Sequence, residues 1–215
     1  MHLLSRYELF DPEMKFLFDN FTPSIVTGVR LPDGSAVSLF GLHPQPPQSW
    51  PQLTAMRDAH LITAALQARD AQAPGILAGD FNAVPWERVT RRVMRLGKLL
   101  DPRVGRGLYS TYHAHSIFLS WPLDQVLYQD KFALLEFKRL PAFGSDLYAI
   151  LVTLCHLPAA ASRQSAPHWK MGMFGRPKHR LKLPASSSPQ ATDAEGKLLS
   201  VAGYGLTPLR YLPFM

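Results

Sequence analysis

A chain of 215 residues, 47% of them hydrophobic, is long enough to bury a sizeable core and short enough to be one domain with an extension. Its single cysteine, Cys155, excludes an internal disulfide or a thiolate metal cluster and suits a reducing compartment, the cytoplasm, and no window approaches the roughly 20 apolar residues of a membrane span. The formal charge of +7 is uneven: residues 1–157 carry 15 Lys and Arg against 14 Asp and Glu, whereas residues 158–215 carry 8 against 2.

In chain order, "PSIVTGVRL" (23–31) and "AVSLFGLH" (36–43) flank the turn signal "PDG" and predict an antiparallel hairpin. "QLTAMRDAHLITAALQA" (52–68) then sets Leu53, Met56, Ala59, Leu61, Ile62, Ala65 and Leu66 at helical spacing. The short, continuous apolar run "GILAGD" (75–80) behind it predicts a central strand. "WERVTRRVMRLGK" (86–98) reads as a basic amphipathic helix closed by Gly97, and "PLDQVLY", "FALLEFKRL" and "LYAILVTL" read as three further strands. This order predicts a mixed sheet with helices outside it. From residue 158 the chain is rich in Pro, Ser and Ala and keeps no period of 2 or 3.6, so we divide it into a domain over 1–157 and a flexible basic tail over 158–215.

Short polar groups punctuate the strand ends. His43 closes "VSLFGLH", Asp80 and Asn82 close "GILAGDFN", Asp124 lies within "WPLDQVLY", and Ser145 and Asp146 precede "LYAILVTL". Any one of them reads as a turn former or helix cap. Four such groups, in a sheet that brings strand ends together, read as a site. His113 and His115 stand two apart, a spacing that would put both imidazoles on one strand face, but no third metal ligand lies near them and a loop reading is preferred.

Taken together, "GLHP" (41–44), "GDFNAVPW" (79–86), "STY" (110–112), "PLDQVLY" (122–128) and "GSDLYAIL" (144–151) resemble the endonuclease/exonuclease/phosphatase family of metal-dependent phosphodiesterases, over roughly residues 3 to 155. The resemblance implies an α/β fold, a four-layer α/β/β/α sandwich of two mixed β-sheets, here expected to lack its N-terminal strands. It implies that Asp80 orients or deprotonates the attacking water and that Asn82 holds that water and contacts the phosphate. His43 would bind the scissile phosphate or protonate the leaving oxygen, Asp146 would help hold Mg²⁺ or Mn²⁺, and Asp124 would orient a catalytic histidine. The implied partner is a phosphoester, with nucleic acid among the candidates.

The chain departs from the family pattern at three places. Leu147 stands where the Ser-Asp-His motif has its histidine, and Gln125 stands where relatives commonly carry another. The family's metal-binding glutamate belongs to a strand before the position where this chain starts; Glu8 and Glu13 fall too late to replace it and read as solvated surface charges. Hydrolysis by this chain is therefore expected to be weakened or lost. Two other readings follow from the same residues: a non-catalytic module that binds nucleic acid or phosphate through "RVTRRVMRLGK" and the basic tail, and a truncated chain without independent function.

Overall fold

The computed structural model describes residues 1–46, 54–112, 120–142 and 147–167, with the backbone of 208–210. The elements run β1 (Leu9–Phe16), β2 (Pro23–Arg30), β3 (Ala36–Leu42), α1 (Thr54–Asp70), β4 (Gly75–Asp80), α2 (Arg88–Gly97), β5 (Leu99–Leu100), β6 (Asp124–Gln129), β7 (Phe132–Arg139), β8 (Ile150–His156), a 3₁₀ turn (Pro158–Ser162) and β9 (Pro208–Arg210). Six strands form one sheet in the order β1-β2-β3-β4-β6-β5, and β7-β8-β9 form a second. In the larger sheet β3 and β4 are parallel and every other pair is antiparallel, which makes it the mixed sheet expected from the sequence.

Strand β4 is apolar from Gly75 to Gly79 because both of its faces are covered. Ile76 and Ala78 pack with Val29, Val37, Val126 and Tyr128 against Phe132, Phe137, Ile150, Val152 and Leu154 of the second sheet. Leu77 points the other way, with Phe40, Leu42 and Leu127, under Leu61, Ala64 and Ala65 of α1 and Val89 and Val93 of α2. Burying a leucine such as Leu77 or Leu127 contributes about 2 kcal/mol. The layers over the described residues are therefore helices, six-stranded sheet and three-stranded sheet.

Helix α1 buries Ala59, Leu61 and Ala65 of its predicted apolar stripe, with Ile62 packed against the core, but turns the stripe toward Arg57 and His60 and away from Met56. Its buried residues are Arg57, Ala59, His60, Leu61, Ala64, Ala65 and Ala68, while Met56 is exposed. The alanines let backbones approach. A Cβ on Gly75 would come within 3.1 Å of the Ala68 Cβ, and one on Gly97 within 3.1 Å of the Ala65 carbonyl oxygen. Gly97 is thus where α2 meets α1 rather than the residue that closes the helix. Closure falls to Lys98, which takes the left-handed conformation (φ 53°) and donates its N–H to the Met94 carbonyl.

Strand β1 was not legible as a strand. It forms the sheet edge, with a bulge between Phe10 and Glu13 at Asp11 (φ 48°) and the exposed pair Glu13–Lys15 at 2.7 Å. Bulges and charges on an edge discourage pairing with another chain. Past residue 157 the chain stays on this fold as far as it is described: Ala160 is buried, and the Gln164 amide donates to the carbonyls of Asp130 (2.7 Å) and Phe132. Strand β9 pairs antiparallel with β8. Asp146, His113, His115, and 168–207 and 211–215 of the basic tail lie outside the described residues.

Candidate active site

Strand direction assembles the site. Because β3 and β4 are parallel, their C-terminal ends reach the same edge of the sheet, and β6, antiparallel to β4, begins there with Asp124 in register with Asp80. His43 follows β3 directly, and its Nε2 lies 4.0 Å from Asp80 Oδ2. The imidazole is 57% exposed and the carboxylate 16%, so the histidine stands at the mouth and the acid beneath it. Gly79 permits this meeting: its φ is +141°, and a Cβ there would sit 1.9 Å from the Leu42 carbonyl oxygen.

Asn82 reaches the site by a route the strand period does not describe. Alternation along β4 would put Asp80 and Asn82 on one face, but the strand ends at Asp80 and Asn82 adopts a left-handed conformation (φ 48°). Its N–H turns back to Asp80 Oδ1 at 2.8 Å, and its side-chain Nδ2 donates to the Pro44 carbonyl at 2.9 Å. Between them Phe81 is fully buried and donates its N–H to the Leu123 carbonyl at 3.0 Å. The fold thus gathers His43, Asp80, Asn82 and Asp124 at one edge.

Two carboxylates so placed are electrostatically costly. Burial pushes the Asp124 carboxyl up to about 6, helped by the charge of Asp80 and opposed by hydrogen bonding from Thr111 and by Arg103. Burial also raises Asp80, against the pull of the Asn82 N–H and of His43. Asp124 Oδ2 is buried with no hydrogen-bond partner among the described residues. A desolvated carboxylate pair with an orphaned oxygen suits a proton or a hard cation, since Mg²⁺ takes one or two protein carboxylates and fills its remaining positions with water and substrate. No group of three His, Cys, Asp or Glu side chains positioned to hold a metal occurs among the described residues.

Three surrounding residues carry less obvious parts. Thr111, fully buried, accepts the Asp124 N–H on its hydroxyl at 3.1 Å, and its carbonyl accepts the Tyr148 N–H at 2.7 Å. Leu147, at the position of the motif histidine, pairs through its backbone with Tyr112 next to that threonine. Gln125 has no access to solvent; its Oε1 accepts from Arg103 Nη2 at 3.1 Å and its Nε2 donates to the Ala83 carbonyl. Glu8 pairs with Arg30 at 3.0 Å on the exposed surface, as a solvated charge does.

The sequence signature of the Endonuclease/Exonuclease/phosphatase family matches residues 1–146. The chain belongs to that family. Solved structures agree on the fold. An endonuclease/exonuclease/phosphatase family protein from Bacteroides thetaiotaomicron aligns at 17% identity with a TM-score of 0.56, covering 69% of this chain and 64% of its own. A mannosyl-6-phosphatase from the same organism aligns at 16% identity and 0.53, covering 69% of this chain and 67% of its own. The TDP2 of D. rerio, complexed with a single-strand DNA product, aligns at 15% and 0.55, covering 69% and 68%. No curated protein matches the chain significantly. The family is one of phosphoester hydrolases, endonucleases, exonucleases and phosphatases.

Proposed function

We propose that this endonuclease/exonuclease/phosphatase family chain hydrolyses a phosphoester at the edge formed by His43, Asp80, Asn82 and Asp124. The observation that carries the reading is the partly desolvated Asp80 carboxylate, in register with Asp124 and 4.0 Å from the exposed imidazole of His43. Asp80, with its basicity raised by burial, accepts the proton of the attacking water. An amide donates two hydrogens and Pro44 takes one, so Asn82 retains a donor for the water or a phosphoryl oxygen. His43 at the mouth binds the phosphate or returns a proton to the leaving oxygen. Asp124 holds negative charge beneath them, and Asp146, by its place in the Ser-Asp motif, would hold Mg²⁺ or Mn²⁺. When bound, that ion polarises the phosphoryl oxygen and stabilises the charge that develops on it.

Leu147 can neither donate to a phosphate nor carry a proton, and turnover is accordingly about 10²-fold below that of a relative with the complete motif. Nucleic acid is the first substrate class to try, because residues 88–98, α2 with its C-terminal cap, carry Arg88, Arg91, Arg92, Arg95 and Lys98. The free Cys155 and the absence, among the described residues, of any helix long and apolar enough to cross a membrane support a cytoplasmic setting.

The test is hydrolysis of single-stranded DNA, RNA, a phosphorylated sugar and bis(p-nitrophenyl) phosphate with Mg²⁺ or with EDTA, run beside Leu147→His. Weak, EDTA-sensitive turnover that rises about tenfold in the histidine variant is expected. Salt-sensitive binding of DNA with no turnover in either protein would replace this reading with that of a non-catalytic binding module.

A further inference from the structure

The strongest unexplained feature is the loop that follows Asp80. Three consecutive peptide carbonyls, those of residues 82, 83 and 84, each end on a buried side chain from a different element. Arg57 of α1, 5% exposed, donates Nη1 to the Asn82 carbonyl at 2.6 Å. Gln125 of β6, fully buried, donates Nε2 to the Ala83 carbonyl. Thr90 of α2, also fully buried, donates its hydroxyl to the Val84 carbonyl at 2.8 Å. A threonine at a helix start often takes such a bond. An arginine and a glutamine in a core do not, because each loses hydration that only a complete set of partners offsets.

Every polar side-chain atom of both has a partner. Arg57 also meets Glu87 Oε2 at 2.7 Å and Asp58 Oδ1 at 2.8 Å, and Glu87 uses its other oxygen to accept the Val84 N–H at 3.0 Å. Gln125 is held from behind by Arg103, whose Nε donates to Asp101 Oδ1 at 3.0 Å. Helix and strand thus grip the loop from two sides, and each grip is braced by a second ion pair. What they grip is strained: Asn82 is neither glycine nor β-branched, and its left-handed backbone costs about 1 kcal/mol unless the surroundings impose it.

We propose that Arg57 and Gln125 are positioning residues that clamp the carbonyls of Asn82 and Ala83 and so hold the Asn82 amide against Asp80. The clamp explains why α1 turns Arg57 inward in place of Met56 and why the position after Asp124 holds an amide. An amide both accepts from Arg103 and donates to Ala83, which neither leucine nor glutamate can do. The catalytic consequence rests on the proposed hydrolysis; the mechanical one does not.

The test uses the full chain in two variants. Arg57→Lys keeps the charge but cannot reach Asn82 and Glu87 together. Gln125→Glu keeps the volume and the Arg103 pairing but removes the donor to Ala83. Amide hydrogen exchange is read at Asn82 and Ala83 and, as internal reference, at Ile76, Leu77 and Ala78 of β4. In whichever variant folds, exchange at 82 and 83 is expected to accelerate by about tenfold or more with the β4 amides unchanged. Loop exchange equal to wild type, or a rise shared equally by β4, overturns the clamp. Where the wild type hydrolyses bis(p-nitrophenyl) phosphate, kcat is expected to fall about 10- to 100-fold with KM unchanged, and Arg57→Lys is expected to add nothing in an Asn82→Ala background. Additive effects there overturn the positioning role while leaving the hydrolytic reading in place. A wild type without turnover sinks the hydrolytic reading instead, and the exchange data alone then decide the clamp.

Discussion

Replacing Asp124 by asparagine removes a charge that the fold holds at a cost, so the variant should be more stable than the wild type at neutral pH. Burial and the neighbouring Asp80 move the Asp124 carboxyl from 3.8 to about 6. A group whose folded value is raised contributes its stability below the unfolded value and loses it as pH climbs through the folded one. The gap between 3.8 and about 6 corresponds to about 3 kcal/mol at about 1.4 kcal/mol per pH unit. Metal-free wild type and Asp124→Asn would be unfolded in urea at pH 4, 5, 6, 7 and 8. The difference between them should be near zero at pH 4, grow between 4 and 6, and level off near 3 kcal/mol in favour of the variant, a Tm gain of about 6 to 12 °C for a chain of this size. Hydrolysis should fall in the same variant. Groups that titrate equally in both proteins cancel in the difference. An asparagine variant that is less stable than wild type at pH 8, or a difference that does not change with pH, would refute the placement of a buried, charge-destabilised carboxylate here.

The other predictions are independent of that carboxylate. His60 is 1% exposed, with Nε2 2.7 Å from the Ser24 hydroxyl and Nδ1 without a partner among the described residues, and burial lowers it from 6.5 to about 4. Its neutral form is the one the fold accepts, so His60 should cost about 3 kcal/mol as pH falls from 6.5 to 4, read in urea titrations as the difference between the wild type and His60→Gln, in which the opposite titration of Asp124 cancels. Gly79→Ala should fail to fold, or lose more than about 4 kcal/mol, because its Cβ would meet the Leu42 carbonyl oxygen at 1.9 Å; Gly34→Ala, equally left-handed (φ 82°) but in open space, should cost only about 1 kcal/mol. Circular dichroism melts of the two variants separate strain from collision.

The central strand, its helices and the order of polar strand ends were readable because each rests on a local pattern. "GILAG" is apolar because both faces are covered, and strand direction alone then delivers His43, Asp80 and Asp124 to one edge. What was hidden depends on partners distant in sequence. Nothing near Arg57 announces that it faces inward, since its partners Asn82 and Glu87 lie 25 and 30 residues away. Strand β1 was hidden by its charged, bulged composition, and the left-handed turn at Asn82 by the strand period that precedes it. Gln125 looked like a missing histidine until Arg103 and Ala83 gave it two partners.

The central claim is that the His43–Asp80–Asn82–Asp124 edge performs phosphoester hydrolysis, and Asp80→Asn tests it most directly. The substitution keeps the size of the side chain and an oxygen for the Asn82 N–H, so the variant should melt within a few degrees of wild type. Mg²⁺-dependent hydrolysis of bis(p-nitrophenyl) phosphate should drop by at least about 10²-fold with KM little changed. A folded Asp80→Asn protein that turns over substrate at the wild-type rate would contradict the account.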